Sequence, residues 1–394
     1  MGKYLKAFEL ISQYEEYINS DMAILPNVSI IKDDTMVHYN PKVPNYLKFT
    51  AEEDNSTISL NGENLDIKYS LNEGEWTQWD YNAITLNMGD TVRMKGNNSN
   101  GFNTDTFSYN QFEMTGKISA SGNIMSLLYD DDFDGKLTIP CDYCFYSIFS
   151  SCISLTTSPE LPATTLTPNC YAFMFYGCES LTTTPELPAI TLTESCYSNM
   201  FNGCYGLTDV SGLPATTLAE SCYYEMFASC IELTTAPELP ATTLAESCYR
   251  EMFYDCTALT TTPTTLPATT LAESCYDRMF EYCSTLTTVP TILPATTLVP
   301  NCYNSMFDGC SAITTAPELP ATTLAPNCYA FMFSGCSELN YIKMLATDIS
   351  ADGCLDSWVT NVSDTGTFVK HPNMTSLPTG SSGIPEYWTV QDVA

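Results

Sequence analysis

The sequence Cys222-Tyr-Tyr-Glu-Met-Phe-Ala-Ser-Cys-Ile-Glu-Leu-Thr-Thr-Ala-Pro-Glu-Leu-Pro-Ala-Thr-Thr-Leu244 is one copy of a phrase that recurs through much of the chain. The spacing is 26 residues, with two intervals of 27, and the first cysteine of each copy falls at Cys144, Cys170, Cys196, Cys222, Cys248, Cys275, Cys302 and Cys328. Cys354 heads an altered ninth copy. A fixed period of this length predicts a solenoid, because one unit buries its apolar face only by stacking on its neighbours.

Within each unit the pattern predicts a short helix followed by an extended stretch. Ser or Asn precedes the first cysteine in seven copies, where a helix N-cap is expected, at Asn169, Ser195, Ser221, Ser247, Ser274, Asn301 and Asn327. Cys222, Met226 and Cys230 follow at i, i+4 and i+8, which places them on one face of about two helical turns. The Thr- and Pro-rich residues 234–240 then predict a short extended segment.

The 18 cysteines are the next feature to explain, since 16 of them occupy two repeat positions eight residues apart. Eight helical residues rise by about 12 Å, whereas bridged Cα atoms lie within about 7 Å, so this geometry excludes bridges inside a repeat. We expect buried free thiols that fill the core. The repeat pairs lack the short spacing of zinc ligands, and His38 and His371 are the only histidines, so we expect no metal and no cofactor.

The flanking sequence completes a four-part organisation of α+β class. An amphipathic helix is predicted over residues 3–21, and its apolar stripe is suited to attachment or oligomerisation, with Tyr4, Phe8, Ile11 and Ile18 on it. With the extended segment that follows, it forms an N-terminal part, 1–44. Short alternating runs and turn signals predict a small β-sandwich over 45–140. The solenoid of eight to nine units then spans 141–362, and 363–394 is predicted to be a C-terminal cap, because terminal repeats must close the exposed core.

The charge of the chain limits its partners. There are 14 Lys and Arg against 46 Asp and Glu, a formal net charge of -32. Such a field repels phosphate backbones and anionic lipid surfaces, so neither nucleic acid nor membrane is expected as a partner. The N-terminus does not have the pattern of a signal peptide, and no export route is therefore expected.

One acidic turn partly matches the sequence pattern of a calcium site. Asp130-Asp131-Asp132-Phe133-Asp134-Gly135 matches the opening half of an EF-hand calcium loop, but position 12 of that loop is Cys141 rather than glutamate. Both an interdomain turn and a calcium site are compatible with this pattern.

Two resemblances bear on function. Met174-Phe175-Tyr176-Gly177-Cys178-Glu179-Ser180-Leu181 resembles the signature of BspA-like leucine-rich repeats. That resemblance implies a curved, right-handed array with one strand per repeat and a role in binding, typically adhesion, without catalysis. The segments 25–29 and 37–41, Leu-Pro-Asn-Val-Ser and Val-His-Tyr-Asn-Pro, are similar to leaders on virion fibre and appendage proteins of phages that infect gut bacteria.

Together these observations favour a non-enzymatic phage protein on the virion surface, a head or tail fibre or decoration. Its N-terminal segment would bind other virion proteins, the chain would form a homo-oligomer, and its solenoid would bind a host cell-surface protein or glycan. A bacterial cell-surface adhesin that binds host or matrix proteins is the alternative. An enzyme is not expected, since we find neither a Gly-rich phosphate loop nor a plausible Cys-His pair.

Candidate contact residues are outward positions that differ between otherwise similar copies and carry Tyr or Arg, which are favoured in binding interfaces. They are Tyr176, Tyr224, Arg250, Tyr254, Arg278 and Tyr282. Free drift of solvent-facing positions is the alternative explanation for this variation.

Overall fold

The computed structural model describes residues 28–32, 35–39, 44–107, 109–375 and 377–393. The chain divides into two compact units, residues 1–44 and 45–394. In the first unit, strands β1 (Val28–Lys32) and β2 (Thr35–Tyr39) pair as an antiparallel hairpin. The helix predicted over 3–21, with Tyr4, Phe8, Ile11 and Ile18, lies outside the described residues.

The second unit begins with two sheets. Their strands are β3 (Leu47–Ala51), β4 (Ser56–Asn61), β5 (Ile67–Leu71), β6 (Thr77–Gln78), β7 (Ile84–Leu86), β8 (Thr91–Gly96), β9 (Gln111–Thr115), β10 (Ile118–Ser121) and β11 (Leu155–Thr157). One sheet has the strand order β11-β10-β3-β8-β5-β6 and the other has the order β7-β4-β9. Burial alternates along β3 and β4, as expected for strands with one face on a core.

Aromatic rings join the two sheets to each other and to the repeats. Phe49 of β3 packs against Phe112 of β9 with ring centroids 5.4 Å apart. Phe112 also stacks on Phe149 of the first repeat at 5.3 Å. Because β11 belongs to that repeat and pairs in parallel with β10, the sheet continues directly into the repeat region.

The segment between the two cysteines of each repeat is a chain of turns, and the helix predicted there is wrong. In the fourth repeat, residues 221–230, the amides of Tyr223, Glu225 and Phe227 donate to carbonyls of the next repeat at 3.1, 3.0 and 2.9 Å. The amides between them donate three residues back, as Met226 N–H does to the Tyr223 carbonyl at 3.2 Å. A helical amide would instead bond to the carbonyl four residues earlier. We call this part of each repeat the turn segment.

Backbone dihedrals explain why the turn segment cannot be helical. Every fourth residue lies in the left-handed region, with φ of +52° at Ser221, +50° at Glu225 and +57° at Ser229. An N-cap residue has β-region dihedrals, so the predicted N-caps, from Asn169 to Asn327, are instead left-handed turn residues. Gly occupies the equivalent of Ser229 in four other repeats, as at Gly177 and Gly203, where positive φ carries no steric cost.

The predicted α+β class is therefore wrong as well. Among the described residues the one α-helix, α1 (Ser126–Tyr129), has four residues, and the rest of the regular structure is β. In that same part of the chain no sheet runs through the repeats as the predicted leucine-rich-repeat solenoid requires. Their extended stretches meet only through isolated parallel bridges, such as Thr235 with Thr261 and Thr261 with Thr288.

The repeats are stacked in register around two ladders of rings. Phe227 stacks between Phe201 and Phe253 at centroid distances of 5.6 and 5.5 Å. Tyr223 stacks on Tyr249 at 5.8 Å in the parallel tyrosine ladder. Both ladders are fully buried, so each repeat depends on its neighbours to cover its rings.

The second cysteine of each repeat also links neighbouring units. The thiol of Cys230 donates to the carbonyl of Phe201 at 3.3 Å, and Cys256 repeats this contact with Phe227 at 3.1 Å. All 18 cysteines are free, and every one except Cys141 is buried. These thiols therefore bridge adjacent repeats as hydrogen-bond donors besides filling space.

The C-terminal strands close the stack. Strands β12 (Tyr341–Met344), β13 (Thr367–Lys370) and β14 (Thr389–Asp392) form a parallel sheet. Trp358 is fully buried at the end of the phenylalanine ladder, 6.2 Å from Phe333, and its indole N–H donates to Gly383 O at 2.9 Å. The division into four parts stays a prediction. No helix in the described ranges has the length and apolarity to cross a membrane.

Candidate ligand-binding face

The turn segments place the variable residues of successive repeats side by side. In each segment the first, second, fifth, sixth and ninth residues from the first cysteine are buried, as Cys222, Tyr223, Met226, Phe227 and Cys230 show. The third, fourth, seventh and eighth residues lie between these buried positions. We call the surface that they form the turn face, and all six predicted contact residues lie on it.

Two arginines organise the middle of the turn face. Arg250 and Arg278 are the only Lys or Arg residues between 141 and 342. Arg250 Nε lies 3.2 Å from Asp277 Oδ2, and its Nη2 lies 3.2 Å from Glu251 Oε1. Arg278 Nε lies 4.0 Å from Asp277 Oδ1 and 3.7 Å from Glu281 Oε2. Asp277 therefore connects the two guanidinium groups across adjacent repeats.

The carboxylates of this network are unusually buried. Asp277 is 8% exposed and Glu281 is 6% exposed. Burial raises the pKa of Asp277 to about 6 against the pull of Arg250, and burial raises the pKa of Glu281 to about 7 against the pull of Arg278. Glu281 Oε2 accepts no hydrogen bond from the residues that the structure describes. The two arginines thus offset much of the cost of placing these carboxylates in the stack.

Tyrosine rings flank the charged network on both sides. The Arg250 guanidinium lies over the Tyr224 ring at 5.6 Å, a cation–π contact. Tyr254 and Tyr282 meet edge to face at 5.6 Å, and Tyr282 is 45% exposed. The structure therefore brings five of the predicted contact residues into one continuous patch over repeats four to six, which we call the Tyr–Arg patch: Tyr224, Arg250, Tyr254, Arg278 and Tyr282.

Tyr176 is separate from that patch. It lies in the second repeat, is 40% exposed, and packs against Phe173 of its own turn segment at 5.7 Å. The third repeat, which carries the small polar residues Ser198, Asn199 and Asn202 on its turn face, lies between them.

The acidic residues that pair with the Tyr–Arg patch were not predicted from the sequence. Glu251, Asp277 and Glu281 occupy the same repeat positions as the chosen Tyr and Arg residues. A search for acidic partners of the two arginines would have found them, because Glu251 and Glu281 lie in the same repeat as their partners and Asp277 lies one repeat after Arg250. The arrangement suits recognition by polar contacts and ring stacking. Each guanidinium offers five N–H donors, more than its carboxylate contacts use, and that of Arg250 also lies over the Tyr224 ring.

Lysine side chains of the protein itself pair with carboxylates of the Asp130–Gly135 turn. Lys95 Nζ lies 2.7 Å from both Asp130 Oδ1 and Asp131 Oδ1, and Tyr46 donates to Asp131 Oδ1 at 2.6 Å. Lys136 pairs with Asp132 at 3.0 Å. In the portion of the chain with described coordinates, no three His, Cys, Asp or Glu side chains are placed to share a metal ion.

The chain shows little similarity to known proteins. No protein-family model matches the sequence, and a search of curated proteins gives no match. Among solved structures the chain is similar to a leucine-rich repeat protein from Bacteroides ovatus, with 14% identity over 63% of this chain and 86% of that one. The TM-score is 0.21.

Proposed function

We propose that this chain is a non-catalytic binding protein and that the Tyr–Arg patch is its contact surface. The observation that carries the proposal is the concentration of five Tyr and Arg side chains over three adjacent repeats. Tyr and Arg are enriched among residues that dominate binding energies, particularly where neighbours hold them in place. Here Arg250 is held by Glu251 and Asp277, so less side-chain entropy is lost when a ligand binds.

We further propose that the protein acts on a virion surface, as a head or tail fibre or decoration that contacts a host cell-surface protein or glycan. The support is the likeness of segments 25–29 and 37–41 to virion fibre leaders, together with the adhesive role that the repeat signature implies. The segment 1–44 would then bind other virion proteins, and the chain would form a homo-oligomer. Mass spectrometry of purified particles tests this directly, and particles that lack the polypeptide would contradict it.

A test of the contact surface requires variants that do not destabilise the stacked repeats. Arg250 and Arg278 are poor choices for alanine substitution, because either change would remove an ion-pair partner of a buried carboxylate, Asp277 or Glu281. The double variant Tyr254→Ala, Tyr282→Gly is better, because other repeats carry Ala228 and Gly309 at these positions. Glycine also suits the backbone of Tyr282, where φ is +64°.

A matched control is available in the third repeat. Tyr205 is 44% exposed, close to the 45% of Tyr282, but lies outside the patch. Tyr205→Ser copies Ser284 of the sixth repeat and removes one ring whose exposure is close to that of Tyr282. We expect the double variant to weaken binding of the labelled protein to host cells by about tenfold or more, and the control by less than about twofold.

The same assay distinguishes the two ligand classes. Protease treatment of the cells would abolish binding to a surface protein, whereas periodate treatment would abolish binding to a glycan. Equal binding by the wild type and the double variant, with unchanged melting temperatures, would exclude the Tyr–Arg patch as the contact surface.

A further inference from the structure

Cys141 differs from every other cysteine of the protein in its environment. It is partly exposed, whereas the remaining cysteines are buried. It stands three residues before Cys144, the first cysteine of the first repeat, which is 0% exposed. Later repeats carry Thr, Ala or Val at the position of Cys141, as at Thr167, Ala219 and Val299. The first repeat alone therefore has a Cys-x-x-Cys pair.

The turn at this position brings the two side chains together. In later repeats the first cysteine donates its amide to the residue three before it, as Cys170 does to Thr167 O and Cys196 to Thr193 O, both at 3.3 Å. A turn of this kind holds its first and fourth Cα atoms within about 7 Å, which overlaps the separation in disulfides. In the first repeat residues 142–144 likewise lie in a turn, and the neighbouring Cys144 thiol lowers the pKa of Cys141.

The two thiols differ in access. The chain packs so closely around Cys141 that a side chain on Gly101, where φ is +122°, would collide with its sulfur. The sulfur lies 3.6 Å from the carbonyl of Asn103. Cys144 is fully buried, and burial raises its pKa well above the ordinary value. A reagent from solvent therefore meets Cys141 first.

We propose that Cys141 and Cys144 form a dithiol that closes to a disulfide by exchange with a low-molecular-weight disulfide such as oxidised glutathione. The Cys141 thiolate attacks one sulfur of the reagent, and one thiol of the reagent leaves. Cys144 then loses its proton and attacks Cys141 Sγ, which displaces the second thiol. The protein loses two electrons and two protons, and the reagent is reduced to two thiols.

The second step limits the rate, because a buried thiol provides little thiolate. Closure should therefore accelerate as pH rises. The bridge would draw Cys141 Sγ away from Asn103 O at the point where the sheets meet the first turn segment. Asn103 N–H donates to Cys144 O at 2.9 Å. The change would therefore occur where the sheets join the first turn segment.

The test uses the full chain, which is first reduced and then incubated with oxidised glutathione. The reaction is quenched with acid, the remaining free thiols are alkylated, and the protein is then digested. We expect the count of free thiols to fall by two from 18, with a peptide that carries a Cys141–Cys144 link. Cys141→Thr, which copies Thr167 and Thr193, is the matched variant and should keep all of its thiols free under the same conditions.

Three results would overturn the proposal: no thiol lost from the wild type, glutathione retained on Cys141 without closure, or a link between Cys144 and another repeat such as Cys170. Loss of two thiols in the Cys141→Thr variant would also overturn it, because the oxidised pair would then lie elsewhere.

Discussion

Replacing Glu281 by glutamine should stabilise the protein above pH 7 and leave its stability unchanged near pH 4, relative to the wild type. The reason is that burial raises the pKa of Glu281 from 4.5 to about 7. Arg278, 3.7 Å away, opposes that rise, while the nearby Asp308 carboxylate adds to it. Glutamine keeps the shape of the side chain and removes its ionisation.

The direction follows from proton binding. Between pH 4.5 and about 7 the folded protein retains the proton of Glu281 that the unfolded chain has already lost. The free energy of unfolding therefore falls as pH rises through this window. A shift of this size corresponds to about 3 kcal/mol at most, and because Glu281 keeps an ion pair with Arg278, we expect about 1–3 kcal/mol in favour of the variant at pH 8.

Urea unfolding of the wild type and Glu281→Gln, followed by circular dichroism at several pH values, measures this difference. Glu273→Gln is the control, since Glu273 is exposed and precedes the turn segment of the same repeat. Its pH dependence should match that of the wild type. If the curves of Glu281→Gln and the wild type also run parallel from pH 4 to pH 8, the described burial of this carboxylate is wrong.

Further substitutions test the core, the turns and the acidic loop. Phe227→Ala removes one ring from the buried ladder and should lower the free energy of unfolding by about 3–5 kcal/mol, measured by urea unfolding. Ser221→Gly should raise the melting temperature, with a gain of about 0.5–1 kcal/mol, because Ser221 has φ of +52°; a helix N-cap would instead be weakened. Lys95→Met should lower the free energy of unfolding by about 1–3 kcal/mol, because Asp131 loses its cation and Asp130 keeps Lys68, at 3.4 Å; an unchanged urea midpoint would contradict this.

The repeat spacing and the buried positions were predictable, but the local backbone was not. Cys222, Met226 and Cys230 are all fully buried, as the pattern predicts. A spacing of four residues fits one face of a helix, but it equally fits a chain of four-residue turns. The distinguishing signals are that Tyr223 and Phe227 are also buried, and that Asn or Gly, which tolerate left-handed backbone, often stands directly before a cysteine, as at Asn169 and Gly177.

The candidate site was also only half predictable. Variation between copies identified Tyr224, Arg250 and Arg278, because outward positions are free to differ. The buried acids Asp277 and Glu281 were not predicted, since single-sequence reasoning assigns Asp and Glu to solvent. Their burial depends on the ion pairs of Asp277 with Arg250 of the preceding repeat and of Glu281 with Arg278 of the same repeat.

The hydrogen-bond partner of the Phe227 amide tests the central claim most directly. Scalar coupling across hydrogen bonds, measured by NMR on the deuterated full chain, identifies the carbonyl that accepts it. A stack of turn segments requires Met252 O, in the next repeat, at 2.9 Å. Coupling to Tyr223 O, four residues earlier, would show that the segment is a helix and would contradict the described fold.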